Sequence, residues 1–328
     1  MLSDTDLMKV QQASHTMSRP VSILVNSAGT NDPFEKNLLN VARQVAGVSS
    51  DFVSMEEATE TVLAGKPSLT LSSPTGGNIS YAAVPEGSQL APFLDALMWL
   101  GQARTLPSSD ALESLGKMSS STHVLVLIAP VCPHCPRVVR TILSMAVRQP
   151  LIKVTVADAL QFPDLADRYK VKSTPTVIIN DRATLVGQLT EEQIIDHLLP
   201  SEDAGALTKA LSSMIQAGRA EDAGDLLCRE RKPEAIVPIY VSPEFSSRMG
   251  ALVAMEEALE RDPRSLDPIV DELTGLLFHR DAPLRGDTAE LLGKIGNQKA
   301  VPALRKAADD PDPDVREAVE EALEALEK

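Results

Sequence analysis

Aromatic residues are scarce: six Phe, three Tyr and one Trp make up 3% of 328 residues. The core must therefore be assembled mainly from Leu, Val, Ile, Ala and Met. No apolar run approaches the roughly 18 residues that a membrane-spanning helix needs, so no membrane partner is expected. The opening MLSDTDLMKVQQASHT lacks both the basic start and the apolar stretch of a secretory signal, which predicts a cytoplasmic protein. Cysteine is nearly missing too, and three residues cannot build the disulfide framework of a small secreted domain. Basic residues are outnumbered: 31 Lys and Arg face 46 Asp and Glu, a net charge of −15. Most of that excess lies in residues 201–328, with 27 acidic and 16 basic residues. An acidic surface repels phosphate backbones, so nucleic acid is not an expected partner. What the chain does have is 43% hydrophobic and 23% charged residues, the composition of a packed protein, and a length that suits two or three domains.

Two of the three cysteines, Cys132 and Cys135, stand in APVCPHCPRVV, just ahead of a helical pattern. A C-x-x-C pair admits three readings: a reversible disulfide, half of a metal site, or two neighbouring structural thiols. Zinc usually needs four ligands, and His15, His123, His197 and His279 are scattered singly, so no metal is expected. The redox reading has a direct physical basis. A thiolate is stabilised at a helix N-terminus, where Cys132 is expected, and Cys135 follows one turn later as the group placed to resolve a mixed disulfide. His134 can donate to the thiolate or, when protonated, pair with it. Pro133 lacks an N–H and stiffens the turn. Cys228, beside Leu226 and Leu227, reads as a buried apolar residue.

Around this motif the pattern alternates. VLVLI (124–128) reads as a buried strand, PRVVRTILSMAVR as a helix, IKVTVAD as a strand, and FPDLADRYKV as a short helix with Pro at its start. TPTVIIN and RATLVGQ are strands joined at Asn180–Asp181, and EEQIIDHLL closes the unit as a helix. Strand, helix, strand, helix, strand, strand, helix is a thioredoxin-like layout. Residues 21–100 repeat that order without a cysteine. SILVN, SDFVS, SLTLSS and NISYAAV are its strands, with a turn expected at Gly76–Gly77, and Lys66-Pro67-Ser68 takes the place of Thr174-Pro175-Thr176. Residues 102–122 connect the units and have room for one helix. Beyond 201 the strands stop, with two helices expected in 204–228. An offset of 31 then appears: Asp281, Leu284, Arg285, Leu292 and Ile295 recur as Asp312, Val315, Arg316, Leu323 and Leu326. Helix pairs at such a period form a solenoid. Arg285 and Arg316 are expected to pair with Asp281 and Asp312, and EAVEEALEALEK to be a solvated outer face.

The expected fold is therefore α/β followed by all-α: a thioredoxin-like unit without redox cysteines (1–104), a second with CPHC (117–200), and a helical repeat domain (201–328). The second unit resembles the thioredoxin superfamily through CPHC and a Thr174-Pro175-Thr176 whose Pro lies 43 residues beyond Cys132. RPVSILV, GKPSLTL, YAAVPEG with LDALMWLG, and CPHCPRVV extend this resemblance to about 200 of the 328 residues. Over that length the chain is similar to the tandem-thioredoxin N-terminal domain of the alkyl hydroperoxide reductase flavoprotein, and to archaeal protein disulfide oxidoreductases. Residues 245–328, with the loop DPDPDVR, resemble HEAT repeats. The resemblance implies a cis Pro175 that presents Thr174 backbone beside the Cys132 sulfur. It also marks a departure: the flavoprotein family has Gly-His-Glu, with the Glu near the redox pair, where this chain has Gly87-Ser88-Gln89. Gln89 reads equally well as a surface residue.

These readings predict a thiol–disulfide oxidoreductase with Cys132 as nucleophile and Cys135 as resolving cysteine, acting on a protein disulfide. No G-x-G-x-x-G follows a strand, so no flavin or nicotinamide cofactor is expected and electron transfer must begin at a separate reductase. The helical repeats would bind a protein partner. The alternative is a redox-sensitive HEAT-repeat scaffold whose disulfide state controls that binding.

Overall fold

Short β-branched runs punctuated by capped helices fold residues 1–200 into one sheet flanked by helices. In this computed structural model the residues described are 2–30, 32–49, 51–58, 63, 65–74, 76–102, 107–199 and 204–327, without the side chains of 76, 77 and 204. Contacts divide the chain into two units, Met1–Pro200 and Ser201–Lys328.

The first unit runs α1 (Asp4–Ser14), β1 (Val21–Asn26), α2 (Pro33–Val48), β2 (Val53–Ala58), β3 (Ser68–Ser73), β4 (Gly76–Ala82), α3 (Leu90–Gln102) and α4 (Ser109–Leu115). It continues with β5 (Thr122–Ile128), α5 (Cys135–Arg148), β6 (Ile152–Asp158), α6 (Pro163–Arg168), β7 (Thr176–Ile179), β8 (Ala183–Val186) and α7 (Glu191–Leu198). Local chemistry fixes several starts. Asp32 caps α2 by accepting from the Glu35 N–H, with Pro33 in the first turn, and Thr190 and Gln193 form a reciprocal capping box on α7.

All eight strands join one sheet in the order β2-β1-β3-β4-β6-β5-β7-β8. The two halves meet where β4 pairs in parallel with β6, Ile79 opposite Val154 through Ala82 opposite Ala157. Strands β1, β4, β5 and β6 run the same way, so their C-terminal ends share one edge of the sheet. The expected turn glycines are corrected: Ser73 pairs with Gly76, which places Gly76 and Gly77 inside β4. The Asn180–Asp181 turn forms as read, both residues at positive φ, which suits a tight hairpin.

The second unit is helical: α8 (Ala204–Gln216), α9 (Ala220–Glu230), α10 (Val237–Tyr240), α11 (Phe245–Arg261), α12 (Val270–Leu276), α13 (Ala282–Ile295), α14 (Val301–Ala307) and α15 (Pro313–Glu327). Helices α9, α11, α13 and α15 pack in succession, and α12 lies on α14. Gly224 permits the first of these approaches, because a Cβ there would lie 2.6 Å from the Ala254 carbonyl oxygen. The apolar stripe of α15 faces inward through Val315, Ala318, Val319, Ala322 and Leu326, which leaves its glutamates to solvent.

Two expectations about this unit change. Arg285 does not take its own repeat's Asp281; its guanidinium forks onto Asp310 with two 2.7 Å bonds. Asp281 instead accepts from Arg248 at 3.0 Å, while Arg316 donates to the Asp310 and Pro311 carbonyls and not to Asp312. The Arg285 and Arg248 contacts span successive repeats and tie neighbours together, whereas Arg316 closes its own loop. Cys228 is only partly buried, and its thiol donates to the Ala258 carbonyl at 3.3 Å.

Candidate active site

The shared edge of the sheet carries the CPHC segment. β5 ends at Ile128, the chain turns with Cys132 N–H donating to the Ala129 carbonyl (3.0 Å), and α5 begins at Cys135. Helix α5 is strongly amphipathic, with Val138, Val139, Ile142, Leu143 and Met145 buried. This stripe packs α5 onto the sheet and against α3. An ion pair between Arg140 and Asp95 of α3 (2.7 Å) links the CPHC helix to the first half of the unit. Burial raises the Asp95 carboxyl above its ordinary range, with Arg140 pulling against that shift.

Both thiols are reduced, and their surroundings differ. Cys132 keeps 9% of its surface and Cys135 none. The first helical N–H, that of Cys135, donates to the Cys132 sulfur at 3.2 Å, and the Cys132 thiol donates to the Thr174 carbonyl at 3.3 Å. Burial pushes the Cys132 thiol up. The Cys135 thiol, the Thr174 side chain and the His134 and Cys135 backbone N–H groups outweigh it, so the net shift is below the ordinary value. Burial, with the bond to Cys132, pushes Cys135 up to about 12.

Of the other residues singled out in the sequence, Pro175 is buried and Thr174–Pro175 is the one cis peptide among the described residues, so Lys66–Pro67 differs from it. Pro133 is exposed in the turn. His134 departs from expectation: its side chain does not reach the thiolate. Its Nδ1 accepts from Gln188 Nε2 at 2.9 Å, and only its backbone N–H serves the sulfur. Gln188 carries no sequence signal, since it lies 54 residues away in a loop. Gln89 departs as well. It is 1% exposed, in a 3₁₀ turn (Gly87–Gln89) packed on α5, and neither of its side-chain amide atoms has a hydrogen-bond partner among the described residues. Next to it, Ser88 Oγ donates to the Pro130 carbonyl at 3.0 Å, two residues before Cys132.

The first half fills the corresponding edge differently. Its loop after β1 folds around a buried carboxylate: Ser27 Oγ (2.5 Å), Ala28 N (2.9 Å), Gly29 N (3.2 Å) and Thr30 Oγ1 (2.7 Å) all donate to Glu35. Such a loop is hydrogen-bonded to itself and offers no thiol. Among the described residues no three His, Cys, Asp or Glu side chains are arranged to hold a metal ion, and no helix is long and apolar enough to cross a membrane.

Comparison with known proteins agrees with this architecture. Residues 122–200 match the family model for the thioredoxin domain, and residues 236–326 that for HEAT repeats. An alkyl hydroperoxide reductase component of Pseudomonas aeruginosa is 24% identical over 213 residues, 64% of this chain and 38% of that protein. The chain spans about a third of the length of the alkyl hydroperoxide reductase and NADH dehydrogenase relatives it matches. The N-terminal domain of the alkyl hydroperoxide reductase of Enterococcus faecalis overlays 60% of this chain and 100% of its own at TM-score 0.54 and 17% identity. A protein disulfide oxidoreductase from Aeropyrum pernix overlays 62% and 97% at TM-score 0.53 and 19% identity. The fold is thus two tandem thioredoxin-like folds followed by HEAT-like helical repeats.

Proposed function

We propose that the chain is a thiol–disulfide oxidoreductase in which Cys132 is the nucleophile and Cys135 the resolving cysteine. The observation that carries this reading is the asymmetry of the pair: a lowered thiol at the rim, a raised and buried one behind it. The Cys132 thiolate attacks one sulfur of a target disulfide, a mixed disulfide forms, and the other target sulfur leaves as thiolate. Cys135 then gives up its proton, which ends on the departing target thiolate, and attacks the Cys132 sulfur. The second target sulfur takes a proton from water, in place of the one Cys132 shed on ionising, so the target leaves as a dithiol holding two electrons, and the protein is left with a Cys132–Cys135 disulfide. A separate reductase resets the pair, and the HEAT-like repeats bind a protein partner.

The likeness to disulfide oxidoreductases and to a component of a peroxide reductase supports redox activity of this kind. The test is turnover with a Cys135→Ser trap. At substoichiometric protein a model disulfide should be reduced catalytically, and Cys135→Ser should accumulate a mixed disulfide on Cys132. A single slow turnover without trapping would refute the enzyme and favour a redox-sensitive scaffold.

A further inference from the structure

Among the described residues of 1–200 four large apolar side chains stay exposed, and three of them lie at the CPHC edge: Val131 at 87%, Leu160 at 71% and Val186 at 46%. Val131 directly precedes Cys132. Leu160 stands in the turn after β6, and that turn is tied to the root of the CPHC loop by the Ala159 N–H donating to the Ile128 carbonyl (2.9 Å). Val186 ends β8, where the next N–H, that of Gly187, donates to the Pro175 carbonyl (2.9 Å). Exposed apolar groups gathered in one place mark an interaction site. Arg137, in the first turn of α5, and Lys172, two residues before Thr174, are exposed and without a carboxylate partner among the described residues.

The turn that presents Leu160 is held from outside its own half. Inside the turn, Leu160 N–H donates to the Asp158 carboxylate (2.9 Å) and Phe162 N–H to the Asp158 carbonyl (3.0 Å). Phe162 then buries its ring edge-on against Phe34 of α2, with centroids 5.2 Å apart. The Lys66 ammonium lies 4.7 Å from the same ring and 2.7 Å from the Asp164 carboxylate. Phe34 and Lys66 both belong to the half that has no thiols.

We propose that the redox-silent half is a docking platform: through Phe34 and Lys66 it clamps Phe162–Asp164. The clamp fixes Leu160, with Val131 and Val186, as an apolar collar around Cys132. The collar receives a protein disulfide carried on an exposed apolar segment that also bears an acidic residue. Three exposed apolar side chains, on two loops and at the end of β8, suit an apolar segment of a protein target, and the two unpaired cations favour a carboxylate in it. This inference rests on the oxidoreductase reading and names its substrate class. Lys66 acts here as a positioning residue, without touching the target.

The experiment compares reduction of insulin with that of hydroxyethyl disulfide by the full chain. Leu160→Ser should raise KM for insulin about tenfold, the loss expected when a leucine's burial is forgone, with kcat held. Lys66→Met should raise it about threefold while keeping the rate on hydroxyethyl disulfide and the redox midpoint. Asp164→Asn, a milder change on the surface, should split the two substrates the same way. Because the clamp works through Leu160, the double variant Lys66→Met/Leu160→Ser should be no worse than Leu160→Ser alone. An unchanged insulin KM in both clamp variants, an equal loss on both disulfides, or additive losses in the double variant would overturn the proposal. Inactivity of the unaltered protein on both disulfides would bring down the oxidoreductase reading, and the platform with it.

Discussion

Cys132 and Cys135 are three positions apart, yet one sulfur receives backbone N–H groups at a helix start and the other is sealed beneath it. Brief alkylation of the reduced protein near neutral pH should therefore modify Cys132 first, with Cys135 reacting only after unfolding; peptide mapping reads the order. A stabilised thiolate also favours the reduced form, so a glutathione titration should give a midpoint more oxidising than thioredoxin's, between about −270 mV and about −120 mV. Gln89 gives a third expectation. In Gln89→Glu a carboxyl replaces a buried amide with no partner, and burial raises its pKa above the unfolded value of about 4.3. Such a group is protonated in both states at low pH and costs stability as pH rises past that unfolded value. The variant should therefore melt nearer to the unaltered protein at pH 4 than at pH 8, and any charge it carries should raise the Cys132 pKa in an alkylation–pH profile. The redox pair was legible because its spacing and helix-start position are local. The burial of Gln89 and the Gln188 bond to His134 were not, because both arise where segments distant in sequence pack together.

Helix α5 was readable as an amphipathic stripe after a strand, and the repeats as an offset of 31, because each rests on short-range periodicity. The arginine partners escaped the same reading. Arg285 meets Asp310 and Arg248 meets Asp281 only once helices stack, and a one-dimensional pattern favours the acid nearest in sequence. Lysine cannot reproduce the two-point fork on Asp310, so Arg285→Lys should destabilise the helical unit by about 1–2 kcal/mol in urea unfolding. Gly224 is a sharper case. A Cβ 2.6 Å from the Ala254 carbonyl oxygen meets backbone that cannot rotate away, so α9 must withdraw from α11. Gly224→Ala should cost about 1–3 kcal/mol, although alanine is the better helix former.

The division at Pro200 and Ser201 separates all the thiol chemistry described above from the helical repeats. A chain ending near residue 200 should keep its rate on hydroxyethyl disulfide and lose partner selection; if it folds but loses that rate, the helical unit helps to build the site. No comparable cut is open between the two thioredoxin-like halves. The parallel pairing of β4 with β6 leaves neither strand a free edge, and β6 (IKVTVAD) is buried along most of its length. Severed from β4, it would show water a row of unpaired N–H and C=O groups along the otherwise buried Val154–Ala157 run, a template for edge-to-edge aggregation. A fragment of residues 117–200 is thus expected to self-associate in light scattering where residues 1–200 stay dispersed. The half that has no cysteines works as a permanent intramolecular chaperone for the half that has them: it can do without thiols, but the protein cannot do without its β4.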